Sequence, residues 1–321
     1  MSMSAMWCAP FTALVFLSAL ARADEAGDWK ARMQAGSAAM DKGDMESASR
    51  EYAAAVKIAK ASFGEGDDRL FYNLEILGRA YALSFQYELA VITYMESVSL
   101  GEDKLGMEAT ELITSLKGLG EVLRGLERPD EAAEHFRRGV AILEKAGGKD
   151  HLETGHLLAG LGECHLALGE LPEAQKALLR ALEIFEKKLG PNNPYVLRVL
   201  RSMGDLGLAL KRPDVAEAAY KRGLGIAREV YGAVSSDTAV CLFGLARTHQ
   251  AKGDHAAALA EYERGMETWD KAGGKETPFF ADCLEGYAVE LDAARSTDEA
   301  EKLRARVQEI RAKSGSRAPD K

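Results

Sequence analysis

The sequence predicts an all-α fold, a superhelical solenoid of about seven helix-turn-helix units. Three observations predict it: an internal period of 42 residues, two apolar helical stripes in each period, and Gly- or Pro-marked breaks at a constant phase.

The period is carried by three ladders. Steps of 42 from Ala48 reach Ala90, Ala132, Ala174, Ala216, Ala258 and Ala300. Steps from Gly36 reach Gly78, Gly120, Gly162 and Gly204, then Ala246 and Ala288. Four residues after the alanines stand Tyr52, Tyr94, Phe136, Leu178, Tyr220 and Tyr262, and the ladder ends at Arg304. Small residues let two helices of a hairpin approach, and the aromatic side chain fills the gap to the neighbouring unit. A single hairpin cannot bury its apolar face alone, so the units are expected to stack on one continuous core.

Taken in chain order, the first element is WCAPFTALVFLSALA (7–21), apolar, too short for a comfortable membrane span and followed by Ala21-Arg22-Ala23. Residues 1–23 are read as a secretory signal cleaved after Ala23 or Ala21, with an uncleaved anchor as the alternative. The solenoid is assigned to 24–313, with units at about 29–70, 71–112, 113–154, 155–196, 197–238, 239–280 and 281–313. In each, a first helix carries leucines such as Leu116, Leu119 and Leu123. A second helix, as from Pro129 to Glu144, carries Ala132, Phe136, Val140 and Leu143 on one face. Helix-ending glycines (Gly43, Gly169, Gly253) or first-turn prolines (Pro129, Pro213) separate the two helices. GEGDD, GGKD, GPNNP, GAVSSD and GGKE separate the hairpins. The last helix, STDEAEKLRARVQEIRAK, is read as a polar cap with Arg304, Gln308 and Arg311 in core slots, and 314–321 as a disordered tail.

Net charge is −9, and −10 once residues 1–23 and their one charge, Arg22, are removed. A surface this acidic repels phosphate backbones, so nucleic acid is not an expected partner. After signal cleavage no membrane insertion is expected. Beyond Cys8 the cysteines are Cys164, Cys241 and Cys283, an odd number without a CxxC, so neither a disulfide framework nor a zinc knuckle is indicated. Cys241 and Cys283 stand one period apart, farther than a disulfide spans, and are read as separate buried thiols.

Leu74-x2-Leu77-Gly78-x2-Tyr81 followed by Ala90-x3-Tyr94 resembles the tetratricopeptide repeat, as does Ala132-x3-Phe136. The resemblance covers about residues 29–311, and LEIFEKKLGPNNP resembles the kinesin-light-chain-like, 42-residue variety. It implies a right-handed superhelix and a scaffold that binds a protein or peptide along a concave groove lined by the first helices. Relatives of that variety often clamp a peptide backbone with asparagines. Here those places hold Lys117-Gly118, Ala159-Gly160, Arg201-Ser202, Phe243-Gly244 and Glu285-Gly286, so the asparagine clamp is missing. The glycines either make room for a ligand backbone or allow closer helix packing.

Carrying the groove positions over residue by residue places Arg79, Glu121, Glu163, Asp205 and Arg247 in one row. A second row holds Glu75, Lys117 and Arg201, with Arg124, His156 and Arg198 nearby. Arginine forks suit carboxylates, so the expected partner carries acidic residues or an exposed carboxylate. The alternative is that these cations pair with Glu121, Glu163 and Asp205 and only solvate the groove. Self-association through the convex face, as a structural module of an envelope complex, is the other function considered.

No GxSxG, P-loop or GxGxxG motif is present, so no catalytic residues, metal site or cofactor are expected. His151, His156, Cys164 and His165 are close in sequence, but the register points them in different directions, with His165 in a core slot. The expectation is an exported, non-enzymatic protein of the periplasm or the extracellular space.

Overall fold

A computed structural model describes residues 26–62 and 68–315, which form fourteen α-helices in consecutive hairpins, with no strands among the described residues. The segment read as a signal lies outside the described residues, as do residues 316–321 of the expected tail. The helices fall into two compact units divided after Lys149. The first holds α1 (26–41), α2 (Met45–Ser62), α3 (Asp68–Leu83), α4 (Tyr87–Leu105), α5 (Ile113–Gly125) and α6 (Pro129–Lys145). A single 3-10 turn, Thr110–Leu112, leads into α5. The second holds α7 (Leu152–Ala167), α8 (Leu171–Leu189), α9 (Pro194–Ala209), α10 (Pro213–Tyr231), α11 (Ser236–Lys252), α12 (His255–Lys271), α13 (Pro278–Ala293) and α14 (Thr297–Gly315).

The three ladders explain the packing inside each unit. All seven ladder alanines are fully buried. The ladder glycines face the ladder aromatics of their own hairpin: Gly36 meets Tyr52, Gly78 Tyr94, Gly120 Phe136, Gly162 Leu178 and Gly204 Tyr220. A methyl group on Gly78 would lie 2.9 Å from the Tyr94 ring, closer than real Cβ atoms approach. What the glycine admits is therefore a ring rather than a second backbone. Backbone crowding does occur at Gly207, where a methyl group would lie 2.8 Å from the Ala216 amide nitrogen.

The linkers encode helix starts. His151, Asn193, Ser235 and Thr277, one period apart, each accept a hydrogen bond from a backbone N–H in the first turn of α7, α9, α11 and α13. Gly106, Gly190 and Gly232 end α4, α8 and α10 at φ 92°, 86° and 89° with ψ 156°, 164° and 169°, a region that only glycine enters readily. Between the second helices of neighbouring hairpins one ion pair recurs: Arg138 with Glu102 in the first unit, Arg222 with Glu186 and Arg306 with Asp270 in the second.

Inside every hairpin the turn passes through a left-handed residue, again at a spacing of 42. Gly43, Gly169 and Gly253 have φ near 75°, but Phe85, Glu127, Lys211 and Arg295 hold φ of 60°, 58°, 55° and 65°. A non-glycine residue there costs about 1–2 kcal/mol, and glycine's greater freedom in the unfolded chain returns roughly half of that. K211G is therefore expected to stabilise the protein by about 0.5 kcal/mol and G169A to destabilise it by about 1 kcal/mol, read from urea midpoints.

The terminal helix differs from its expected register. Arg304 is taken up by Asp292 and Glu285, and Gln308 and Arg311 are exposed. Burial falls one residue earlier, on Val307 and Ile310, which are 1% exposed and join Trp269 and Phe280 in the core. The exposed side of α14 remains polar.

Candidate partner-binding surface

In the first unit the groove positions lie on α3 and α5. Glu75 is half-buried, and burial pushes its carboxyl above the usual range although the Ser115 hydroxyl donates to Oε1 at 3.2 Å. Ser115 is linked at 2.9 Å to Ser97, so a small hydroxyl network backs this carboxylate. Arg124 Nη2 donates to Glu121 Oε2 at 2.9 Å, and Lys117 is half-buried. Arg79 is exposed and makes no ion pair among the described residues, standing within electrostatic reach of Tyr52 and Tyr94.

In the second unit the cations are largely spoken for. Arg198 forks onto Glu163, Nε to Oε1 at 2.9 Å and Nη2 to Oε2 at 2.8 Å, and Ser202 adds a bond at 3.3 Å. Arg201 Nη1 reaches Asp237 at 3.0 Å. Arg247 Nη1 and the Tyr220 hydroxyl both donate to Asp205 Oδ1, at 2.7 and 2.8 Å. His156 sits in an aromatic trio, edge-on to Phe185 at 5.0 Å and to Tyr195 at 4.4 Å. Each of these carboxylates offsets one arginine before any partner arrives.

The question of the groove-floor glycines is answered by the aromatic ladder. Tyr94 occupies the space over Gly118, Tyr220 that over Gly244 and Tyr262 that over Gly286. Tyr94 and Tyr220 are thus each held between a glycine of their own hairpin and a glycine of the next. The room is taken by the protein itself.

The residues that looked like a metal cluster diverge. His151 caps α7, and Cys164 is fully buried. His165, 8% exposed, bonds through Nδ1 to Glu170 at 2.5 Å. Cys164, Cys241 and Cys283 are free thiols, and burial pushes the last two up to about 12. No group of His, Cys, Asp or Glu among the described residues is placed to hold a metal ion, and no described helix is long and apolar enough to cross a membrane.

The tetratricopeptide repeat family profile matches residues 111–187, 157–229 and 208–271, and a second profile of that repeat matches 30–62. The chain belongs to the tetratricopeptide repeat family. This repeat chain is similar in fold to a protein of Podosopora anserina with nearly identical TPR-like repeats of the kinesin light chain type (21% identity, 63% of this chain and 95% of that one, TM-score 0.54). A tetratricopeptide repeat protein from Parabacteroides merdae is similar at 17% identity, over 88% of this chain and 93% of that one, with a TM-score of 0.64. A Rap protein complexed with Competence and Sporulation Factor is similar at 12% identity, over 92% and 98%, with a TM-score of 0.56. At these identities the likeness shows the fold. No curated protein matches the sequence.

Two features escaped the sequence reading. The left-handed turn position was visible only where glycine fills it, because Phe85, Glu127, Lys211 and Arg295 carry no turn signal. The exposed apolar residues of α4, Leu89, Ile92 and Met95, carry no periodic signal, because one period later the same places hold Glu131, Glu134 and Arg137.

Proposed function

We propose that the chain is an exported, non-enzymatic scaffold that binds a protein or peptide segment on the face formed by its first helices. Membership of the tetratricopeptide repeat family supports a protein-interaction role. The solved Rap complex supports that role further, since a protein similar in fold was solved in complex with Competence and Sporulation Factor. Export, to the periplasm or outside the cell, is supported by the apolar segment 7–21 and the Ala21-Arg22-Ala23 sequence after it.

The observation that carries the acidic-partner reading is Arg79, exposed on α3 without an ion pair among the described residues. In the second unit Arg201 engages Asp237 through one nitrogen, which leaves the rest of its fork for a second carboxylate. Arg198 has both of its acceptors already and serves as a wall.

The test is capture of the partner identified by proximity labelling in the native compartment. R79E, K117E and R201E combined are expected to abolish capture while helical content is kept. Unchanged capture by the folded triple variant removes the acidic-segment reading.

A further inference from the structure

The place where Arg79 stands has a closed counterpart elsewhere in the repeat. On α9 and α11 three polar groups meet at the Tyr220 ring: its hydroxyl and Arg247 Nη1 both donate to Asp205 Oδ1, at 2.8 and 2.7 Å. Three periods earlier the same places hold Tyr94, Glu121 and Arg79. The Tyr94 ring again lies between two glycines, Gly78 and Gly118. Only the charges are exchanged, with arginine on the earlier first helix and the acid on the later one.

This trio is open. Glu121 Oε2 accepts from Arg124 Nη2, one turn along its own helix, at 2.9 Å, and Arg79 makes no ion pair among the described residues. The Tyr94 hydroxyl makes no hydrogen bond among them either, and burial pushes its phenol above the usual range, which keeps it a donor. Arg79 is within electrostatic reach of that phenol. Glu75, the other charged group in reach of it, is engaged by the Ser115 hydroxyl at 3.2 Å. Two donors therefore share a place from which the acceptor has been drawn away.

What draws it away is a departure from the repeat. The place of Arg124 is held by Ala82 on α3, Leu166 on α7 and Leu208 on α9. Asp205, three residues before Leu208, meets no cation there and is taken by Arg247. Glu121, three residues before Arg124, meets one.

We propose that Arg79 and the Tyr94 hydroxyl form a carboxylate-binding site, which Arg124 keeps open by holding Glu121. An Asp or Glu side chain of the partner takes the part that Asp205 plays on α9, accepting from a guanidinium and a phenol together. The site rests on the acidic-partner reading and adds a second donor to it. Arg124 acts through Glu121, as a positioning residue.

Phenylglyoxal, which modifies accessible guanidinium groups, tests the role of Arg124 on the purified full chain, with Arg79 followed by peptide mass spectrometry. R124L installs the residue of α7 and α9 at that place. It is expected to slow modification of Arg79 about threefold, because Glu121 then closes on it. E121Q/R124L is expected to restore the wild-type rate, and R124A replaces R124L if the latter does not fold. An Arg79 rate unchanged in folded R124L overturns the hold on Glu121. Capture of the partner identified by proximity labelling tests the site itself. Y94F, which keeps the ring, is expected to weaken capture about tenfold. Full capture by folded Y94F overturns the two-donor site but leaves the acidic-partner reading, whereas full capture by folded R79E overturns both.

Discussion

G244A is expected to destabilise the second unit by about 2–3 kcal/mol, one of the largest effects a single methyl group produces in this protein. Tyr220 is 2% exposed, and its ring lies between Gly204 of α9 and Gly244 of α11. A methyl group on either glycine would fall inside 3.0 Å of that ring. The ring cannot swing away, because its hydroxyl donates to Asp205 at 2.8 Å and Arg247 holds the same oxygen. The repeat itself suggests the repair. In the fourth hairpin the aromatic place is Leu178, and the place one period before Gly244 is Ser202. G244S/Y220L copies that pair, and is expected to recover at least half of the loss caused by G244S alone. Urea unfolding of the single and double variants measures the coupling directly.

R198A is expected to cost about 2 kcal/mol while leaving partner capture nearly intact. Glu163 has a side chain only 14% exposed, so deleting Arg198 removes a two-pronged cation from a poorly solvated carboxylate, which the weak bond from Ser202 does not replace. R198K keeps the charge but loses the fork, and about half of the loss is expected to remain. Deleting both members, as in E163L/R198L, is expected to be milder than R198A, since neither charge is then stranded. A loss of capture in R198A without a loss of stability would instead make Arg198 a partner contact. Chemical unfolding and capture measured on the same samples separate the two roles.

The architecture was legible because it is written seven times. Ala48 and its six equivalents are buried without exception, and the glycine and aromatic ladders meet as side chain against Cα. What periodicity did not reveal was direction. Spacing placed Arg198, Arg201 and Arg247 on the groove and offered Glu163 and Asp205 as the alternative to a partner's carboxylates, but it could not decide between them and did not offer Asp237, which takes Arg201. Such pairs depend on helix separation and rotamer, which a register does not contain. The groove-floor glycines were ambiguous for a similar reason, since the ring that fills each space comes from the preceding hairpin. Residues that break the pattern, such as Ile92 on α4 and Lys211 at φ 55°, were invisible to a search for agreement.

Photo-cross-linking from single positions tests the central claim, that the first helices form the working surface. A cross-linking residue is placed at Arg79, Lys117 or Arg201 on first helices, and at Glu134, Lys176 or Ala218 on second helices, all in the full-length chain in its native compartment. Adducts with one and the same partner are expected from the first-helix positions and none with it from the second-helix positions. Adducts confined to Glu134, Lys176 and Ala218 would contradict it.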